Sequence, residues 1–336
     1  MSEVDATGGG PSRDVGVREV AALAGVSRQT VSRVLNERPE VAAPTRERVL
    51  AAMAELGYRM NNAARALGTR RSRTLGVLAS DALQYGPSRS LAAIEAQARA
   101  AGYWLSAAFA GAGDADAVIA AVEHLASQGV EGVVVVAPHA RTLDALDALR
   151  IGLPIVTLHS SERGTRGLSV DQAAGARLAV AALAEAGHTR IAHLAGPADW
   201  LEAESRAQGF AAELAARGIA EGPVLVGDWS AASGHAAAAA VREAGVTAVF
   251  AANDQMALGL ITGLREAGLE VPGDVSIVGF DDVPDAAHYW PRLTTVRQDF
   301  DELARRAVAA VLGDVTAPRD AVLPVLVPRA SIAPPR

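Results

Sequence analysis

GVSRQTVSRVLN, residues 25–36, is the stretch whose reading decides the fold of this chain. Gly25 can close one helix in the left-handed region, and Ser27 can open the next by accepting a backbone N–H. At about 100° per residue from Arg28, the side chains of Thr30, Val31, Val34 and Leu35 fall between about 200° and about 340°. Those of Arg28, Gln29, Ser32 and Arg33 fall between about 0° and about 140°. One face packs and the other reaches outward. The preceding VREVAALAG offers Val17, Val20, Ala21 and Ala24 for a first helix, and PTRERVLAAMAELGY offers Val49, Leu50, Met53 and Leu56 for a third. Three short helices then share one small core. In a helix-turn-helix of this kind the second helix enters the major groove, where Arg pairs with guanine O6 and N7 and Gln with adenine N6 and N7. The competing reading is a solvated charged face with no partner.

The rest of the chain sets the context. With 336 residues and half of them apolar, it can bury large cores and is long enough for two or three domains. It contains no cysteine, so disulfides, thiolate metal sites and cysteine nucleophiles are excluded. The start, MSEVDATGGGPSRD, lacks the basic flank and apolar core of a signal peptide, and no run long enough to cross a membrane occurs. A cytoplasmic address without a membrane partner is expected. The formal net charge of -7 hides an asymmetry: residues 13–73 carry twelve arginines against six acids, a net +6, which leaves −13 for the remainder. A basic module on an acidic body points to a polyanion as the partner of the first 73 residues only.

The run VREVAALAGVSRQTVSRVLNERPEVAAPTRERVLAAMAELGYRMNNAARAL resembles the DNA-binding headpiece of the LacI family, with GVSxxTVSRVLN and TRERVLAAMAELGY as its most distinctive phrases. The resemblance implies that Arg28, Gln29 and Arg33 read bases and that Ser27, Thr30, Ser32, Asn36 and Tyr58 lie near phosphates. Ala42 stands where the family usually has a helix-capping Ser, and Met60 where it usually has a proline after the Tyr. These departures should weaken backbone anchoring modestly and leave the following segment less rigid. That segment, NNAARALGTRRSR (residues 61–73), has only about seven helix-prone residues, too few to persist alone in water. In the resembling family it forms a minor-groove hinge helix, and Ala64 and Leu67 match the wedge positions. A plain flexible linker remains the alternative.

After Thr74 short apolar runs alternate with Ala-rich stretches: TLGVLAS, YWLSAAF, GVVVVAP, PIVTLHS, RIAHLAG, PVLVGDW, TAVFAAND and VSIVGFDD. Strands alternating with helices predict parallel sheets covered on both faces, with ligands beyond the strands' carboxyl ends. Asp171, Arg206, Asp228, Trp229, Asn253, Asp254, Asp281, Asp282 and Gln298 to Phe300 are assigned to those ends. Carboxylates, an amide and a guanidinium suit vicinal hydroxyls, and an aromatic ring suits a sugar's apolar face. Trp229 as ordinary core and Arg206 paired with Glu202 or Glu204 are the bland alternatives.

GDWSAASG, AANDQMALG, VSIVGFDD, YWPRLTTVRQDF and ALQYGPSRSLAAIEAQARAAG resemble the lactose-responsive branch of the same family. The resemblance implies that Arg206, Trp229, Asn253, Asp281, Gln298 and Phe300 contact a galactoside or related glycoside. Gln84, Ala112, His159 and Val170 depart from that branch, so the aglycone side is rebuilt. The expected fold is an all-α helix-turn-helix headpiece plus an α/β periplasmic-binding-protein-like body of two doubly wound parallel-sheet lobes. The expected domains are a disordered tail (1–14), a headpiece (15–60), a hinge (61–73) and a body (74–336). Within the body the first lobe takes about 74–170 and 300–326, and the second about 171–299 and 327–336.

The implied function is a repressor released from palindromic double-stranded operator DNA by a sugar effector. A corepressor-dependent regulator and a transport-type sugar-binding protein are the alternatives. A glycosidase is disfavoured because Asp281 and Asp282, if adjacent on a strand, would face opposite ways. No metal site, cofactor, phosphate loop or catalytic residue is expected. The chain ends at VPRASIAPPR without a leucine-heptad tail, so a homodimer on two half-sites is expected.

Overall fold

A computed structural model of the protein describes residues 15–36, 38–58, 71–111, 114–136, 139–158 and 167–336. Met60, Ala64, Leu67, Ala112 and His159, and with them the hinge reading, lie outside the described residues. The chain divides into two compact units, Met1–Ser72 and Arg73–Arg336.

The first unit holds α1 (Val17–Ala24), α2 (Arg28–Leu35) and α3 (Ala43–Glu55). Gly25 ends α1 at φ 64°, a conformation that glycine adopts without steric cost. Ser27 Oγ accepts from the Thr30 N–H at 3.1 Å and starts α2 two residues later. Val20, Ala21, Ala24, Val31, Val34, Val49 and Ala52 form the core, with Met53, Leu56 and Tyr58 packed against it. Leu50 corrects the sequence reading, since it is 51% exposed. Residues 49, 52, 53 and 56 follow the i, i+3, i+4, i+7 face, and Leu50 is turned about 100° away from it.

Ala42 precedes α3 in cap position and makes no side-chain cap bond. Pro44 has no N–H, so Thr45 is the first helix donor within reach of a cap. Ala42→Ser should supply an acceptor there and raise headpiece stability by about 0.5–2 kcal/mol. Chemical denaturation followed by far-ultraviolet circular dichroism on the full chain checks this.

The second unit contains two parallel sheets. In the first, β1 (Thr74–Ala79), β2 (Trp104–Phe109), β3 (Val133–Val136), β4 (Ile155–Leu158) and β5 (Gly167–Leu168) lie in the order β2-β1-β3-β4-β5. Its helices are α4 (Tyr85–Ala100), α5 (Ala115–Ser127), α6 (Ala140–Ala148) and α11 (Phe300–Val311). In the second sheet, β6 (Arg190–Ala195), β7 (Ala220–Val226), β8 (Ala248–Ala251) and β9 (Ser276–Val278) lie in the order β7-β6-β8-β9. Its helices are α7 (Gln172–Glu185), α8 (Leu201–Arg217), α9 (Ala231–Ala244) and α10 (Asp254–Glu266).

Strands β1, β3, β4, β6, β8 and β9 are buried on both faces, which is why they read as apolar runs rather than as alternations, whereas the edge strands β2 and β7 are not. In β3, Val134 and Val136 face the core that contains α4 and α11, while Val133 and Val135 face the core of α5 and α6. His193 in β6 packs against Phe210 and Phe250, each ring centroid 4.8 Å from its own, and burial pushes its pKa down to about 4. It is therefore a neutral core residue.

An antiparallel pair, β10 (Thr295–Arg297) with β11 (Val325–Val327), joins the lobes. These three-residue strands, like the two-residue β5, are too short to leave a period in the sequence. The last residues return to the second lobe, where Ser331 Oγ donates to the Ile277 carbonyl at 2.6 Å.

Candidate functional site

The carboxyl ends of both sheets open into a cleft. Arg206, Trp229, Asn253, Asp281, Gln298 and Phe300 all line it, and so do Gln84 and Val170. Each arrives by a different route. Asn253 caps α10 by accepting from the Met256 N–H at 2.9 Å, and its amide nitrogen donates to the Trp229 carbonyl at 3.0 Å. Trp229 follows β7 at φ 73°, and its far edge lies so close to Gly196 that a Cβ there would collide with the indole. Its Nε1–H is buried and has no hydrogen-bond partner among the described residues. Phe300 begins α11 and meets the Tyr85 ring edge-on at 6.2 Å.

The polar floor is a closed circuit. Arg206 Nε donates to Gln172 Oε1 at 2.8 Å, Gln172 Nε2 to Gln298 Oε1 at 2.6 Å, and Gln298 Nε2 to Asp281 Oδ1 at 2.7 Å. Asp281 closes it with a 3.6 Å ion pair to Arg206 Nη2. Arg206 also donates to the Ala252 carbonyl and lies 3.9 Å above the Phe280 ring centroid. All four members of the circuit are buried. Burial pushes the Asp281 carboxyl up to about 6, against the opposing pull of Arg206 and Gln298. Burial likewise lowers the Arg206 guanidinium from its usual value, and Asp281 is the largest influence holding it up.

Several sequence expectations need correction. Arg206 is not at a strand end but within α8, where its length carries the guanidinium into the cleft. Its polar contacts run to Gln172, Ala252 and Asp281. Asp171 and Asp299 cap α7 and α11, and Asp228 accepts from Ser230. Asp254 lies beneath the cleft, accepting from the Val283 N–H at 2.8 Å and from Thr295 Oγ1 at 2.6 Å. Burial, then the charge on Asp281, raises its pKa well above the ordinary carboxylate value.

Asp281 and Asp282 are not on a strand. They follow β9 in a turn with φ of 107° and 53°, a costly conformation for non-glycine residues that the Asp254 brace helps to hold. Asp281 is sent into the cleft, while Asp282 is locked to Arg297 Nε at 2.7 Å and Arg329 Nη2 at 2.5 Å. The two carboxylates still serve different partners, but through turn geometry rather than strand alternation. Among the described residues, no group of three or more His, Asp or Glu side chains is placed to hold a metal ion. Nor is any helix long and apolar enough to cross a membrane. Gln172, Tyr85 and Trp200 also line the cleft and were not singled out by the sequence; nothing local marks them.

In the first unit, Arg28, Gln29, Ser32 and Arg33 are exposed together on α2, with Ser27 beside them. Thr30 and Asn36 are half-buried, and Asn36 Nδ2 donates back to the Ser32 carbonyl at 2.9 Å. Tyr58 is half-buried beyond α3.

Residues 17–61 match the model of the bacterial regulatory proteins of the lacI family, and residues 180–332 that of a periplasmic binding protein-like domain. The lactose operon repressor of Escherichia coli (strain K12) is 37% identical over 308 residues, covering 89% of this chain and 84% of that protein. The chain belongs to the LacI family of bacterial transcription regulators. The crystal structure of the lac repressor dimer bound to operator and the anti-inducer ONPF matches with a TM-score of 0.87 and 35% identity, over 96% of this chain and 100% of that one. A complex of the transcriptional regulator CelR with cellobiose matches with a TM-score of 0.68 and 32% identity, over 94% and 99%. The headpiece and two-lobed parallel-sheet body are thus the architecture of this LacI-family regulator.

Because ionised Asp281 accepts hydrogen bonds and its pKa is raised to about 6, a neutral hydroxyl ligand held by it should lose affinity as the pH falls. The affinity should be level above about pH 7 and decline toward tenfold per unit below about pH 6. Calorimetric titration across pH 5 to 8, roughly one unit to either side of those limits, tests the profile.

Proposed function

We propose that this regulator represses transcription by binding two half-sites of a palindromic operator as a homodimer, and that a galactoside or related glycoside in the cleft releases it. The observation that carries the reading is the buried circuit of Arg206, Gln172, Gln298 and Asp281 beside Trp229 and Phe300. It offers directional donors and acceptors for vicinal hydroxyls next to flat apolar walls, which is the chemistry of a pyranose. The names of the relatives agree: one is a lactose operon repressor, and another was solved with cellobiose. Asp281 and Asp282 are both engaged with cations or amides rather than paired across an open bond, so we assign the cleft to binding and not to hydrolysis.

On the headpiece, we assign base reading to Arg28, Gln29 and Arg33, and phosphate contact to Ser27, Thr30, Ser32, Asn36 and Tyr58. The exposed edge of α2 presents guanidinium and amide groups that match guanine and adenine in the major groove. The hinge role of Ala64 and Leu67 rests on the family pattern alone.

Release requires reciprocity. If sugar weakens DNA binding, DNA must weaken sugar binding by the same factor, typically about 5- to 150-fold. Fluorescence titration of the sugar with and without operator is expected to show weaker binding in the complex. Equal affinities would overturn induction, and tighter binding with operator would make the sugar a corepressor. Separately, Arg28→Ala or Gln29→Ala should cost about 1–3 kcal/mol on the cognate site and relax base preference there. Gel shifts against single-base operator variants read this out, and a uniform loss on every sequence would reassign these side chains to phosphate.

A further inference from the structure

The cleft floor is chemically lopsided. The order β7-β6-β8-β9 puts Asn253 and Asp281, after β8 and β9, at one end of the second lobe's rim. Trp200 and Trp229 follow β6 and β7 toward the other. Trp229 adjoins the polar groups, its ring centroid 5.6 Å from the Arg206 guanidinium carbon and its carbonyl accepting from Asn253, so that Trp200 alone lies beyond them. With neighbouring strands about 4.8 Å apart, four strands span roughly 14 Å, which is more than one pyranose ring needs. The aromatic end is a corner: the Trp200 and Trp229 rings meet edge to face with centroids 5.3 Å apart and planes at 66°.

Trp200 stands on the loop between β6 and α8 and is held from the opposite lobe by His139, which precedes α6. The His139 ring lies 5.2 Å from the Trp200 ring at 73°, and the two residues form an antiparallel backbone bridge. His139 Nε2 lies 2.8 Å from Asp81 Oδ2 in the first lobe, and Nδ1 lies 3.2 Å from the Asp199 carbonyl in the second. With His139 only 3% exposed, those bonds and the ring contact leave it little freedom. The histidine is a clasp between the lobes whose face buttresses one wall of the cleft.

We infer that Trp200 selects an effector with a second sugar ring, and that His139 is the positioning residue that keeps Trp200 in the cleft wall. This rests on the sugar reading proposed above. The first ring uses the hydroxyl-bonding groups around Asp281 beside Trp229, and the second lies beyond it with its apolar C–H face toward Trp200. A monosaccharide lies beside Arg206, Asp281 and Trp229 and gains nothing from Trp200.

Calorimetry on the full-length protein tests this with galactose, glucose, mannose and xylose against lactose, cellobiose, maltose and melibiose. The best disaccharide is expected to bind at least about tenfold more tightly than the best monosaccharide. Trp200→Ala should remove that advantage while leaving monosaccharide affinity within about twofold, and Trp200→Phe should restore most of it. His139→Ala should act like Trp200→Ala. It should also abolish the exciton couplet of the Trp200–Trp229 pair in circular dichroism, defined as the wild-type spectrum minus that of Trp200→Phe. Equal loss for one-ring and two-ring sugars, no loss for either, or a monosaccharide as the tightest ligand would overturn the inference while leaving the sugar reading intact. So would a couplet that survives in His139→Ala. Failure of every sugar to bind the wild-type protein would instead overturn the sugar reading itself.

Discussion

A guanidinium buried in the body is the constraint around which the cleft is organised. Arg206 reaches in from α8 to a position where water does not solvate it, and an isolated charge there would cost several kcal/mol. The fold offsets that cost with Gln172, the Ala252 carbonyl, the face of Phe280 and the Asp281 carboxylate. Each compensation constrains something else. Asp281 reaches Arg206 from positive-φ backbone, that segment is braced by Asp254, and Asp254 in turn accepts from Thr295 and Val283. A buried pair of this sort contributes little net stability, since replacing it with apolar groups is often neutral or better. The arrangement is understood more readily as a binding surface whose charges are held ready by the fold than as a stabilising device.

The same reasoning separates what the sequence disclosed from what it concealed. GVSRQTVSRVLN was legible because every relevant interaction lies within a few residues: Gly25 closes one helix, Ser27 bonds Thr30, and Val31 and Val34 share a face. The VVVV of β3 was legible because burial on both faces removes alternation. Leu50 misled, since an apolar residue beside Val49 looks like core until the helical phase is set by Ala52 and Leu56. The carboxylates were over-assigned: Asp171, Asp228 and Asp299 look like ligands by type and position, yet each is used by its own backbone or a neighbouring serine. Gln172 was silent because its partners are 34 and 126 residues away. His139 and Trp200 were silent for the same reason, since their meaning arises only when the two lobes face each other.

The charge asymmetry gains a physical sense once the two units are considered separately. Residues 13–73 sum to +6 in a chain of net −7, so electrostatic attraction to a polyanion is confined to the unit that carries the exposed Arg28 and Arg33. The body, residues 74–336, carries −11 once the two acids of residues 1–12 are set aside, and repels the same polyanion. Several of its cationic groups are neutralised internally, as in Arg306 with Glu302 and Arg329 with Asp282. Non-specific attraction therefore orients the molecule before any base is read.

The circuit on the cleft floor also bears on how a neutral sugar could exert any force on such a machine. In the structure, Gln298 donates to Asp281 while accepting from Gln172, so these side chains already make the kind of bonds that hydroxyls would make. A ligand that merely adds bonds to a fixed floor contributes affinity but shifts nothing, because it does not distinguish two states. A ligand whose hydroxyls exchange with Gln298 for the Asp281 carboxylate does distinguish them. Gln298 lies one residue beyond β10, in the strand pair that joins the lobes, so releasing its amide alters the restraint on that crossing. A satisfied but exchangeable polar network at a hinge is thus a better transducer than an apolar wall. The wall can select the ligand, whereas the network, tied to the crossing strands, is where binding would act on lobe geometry.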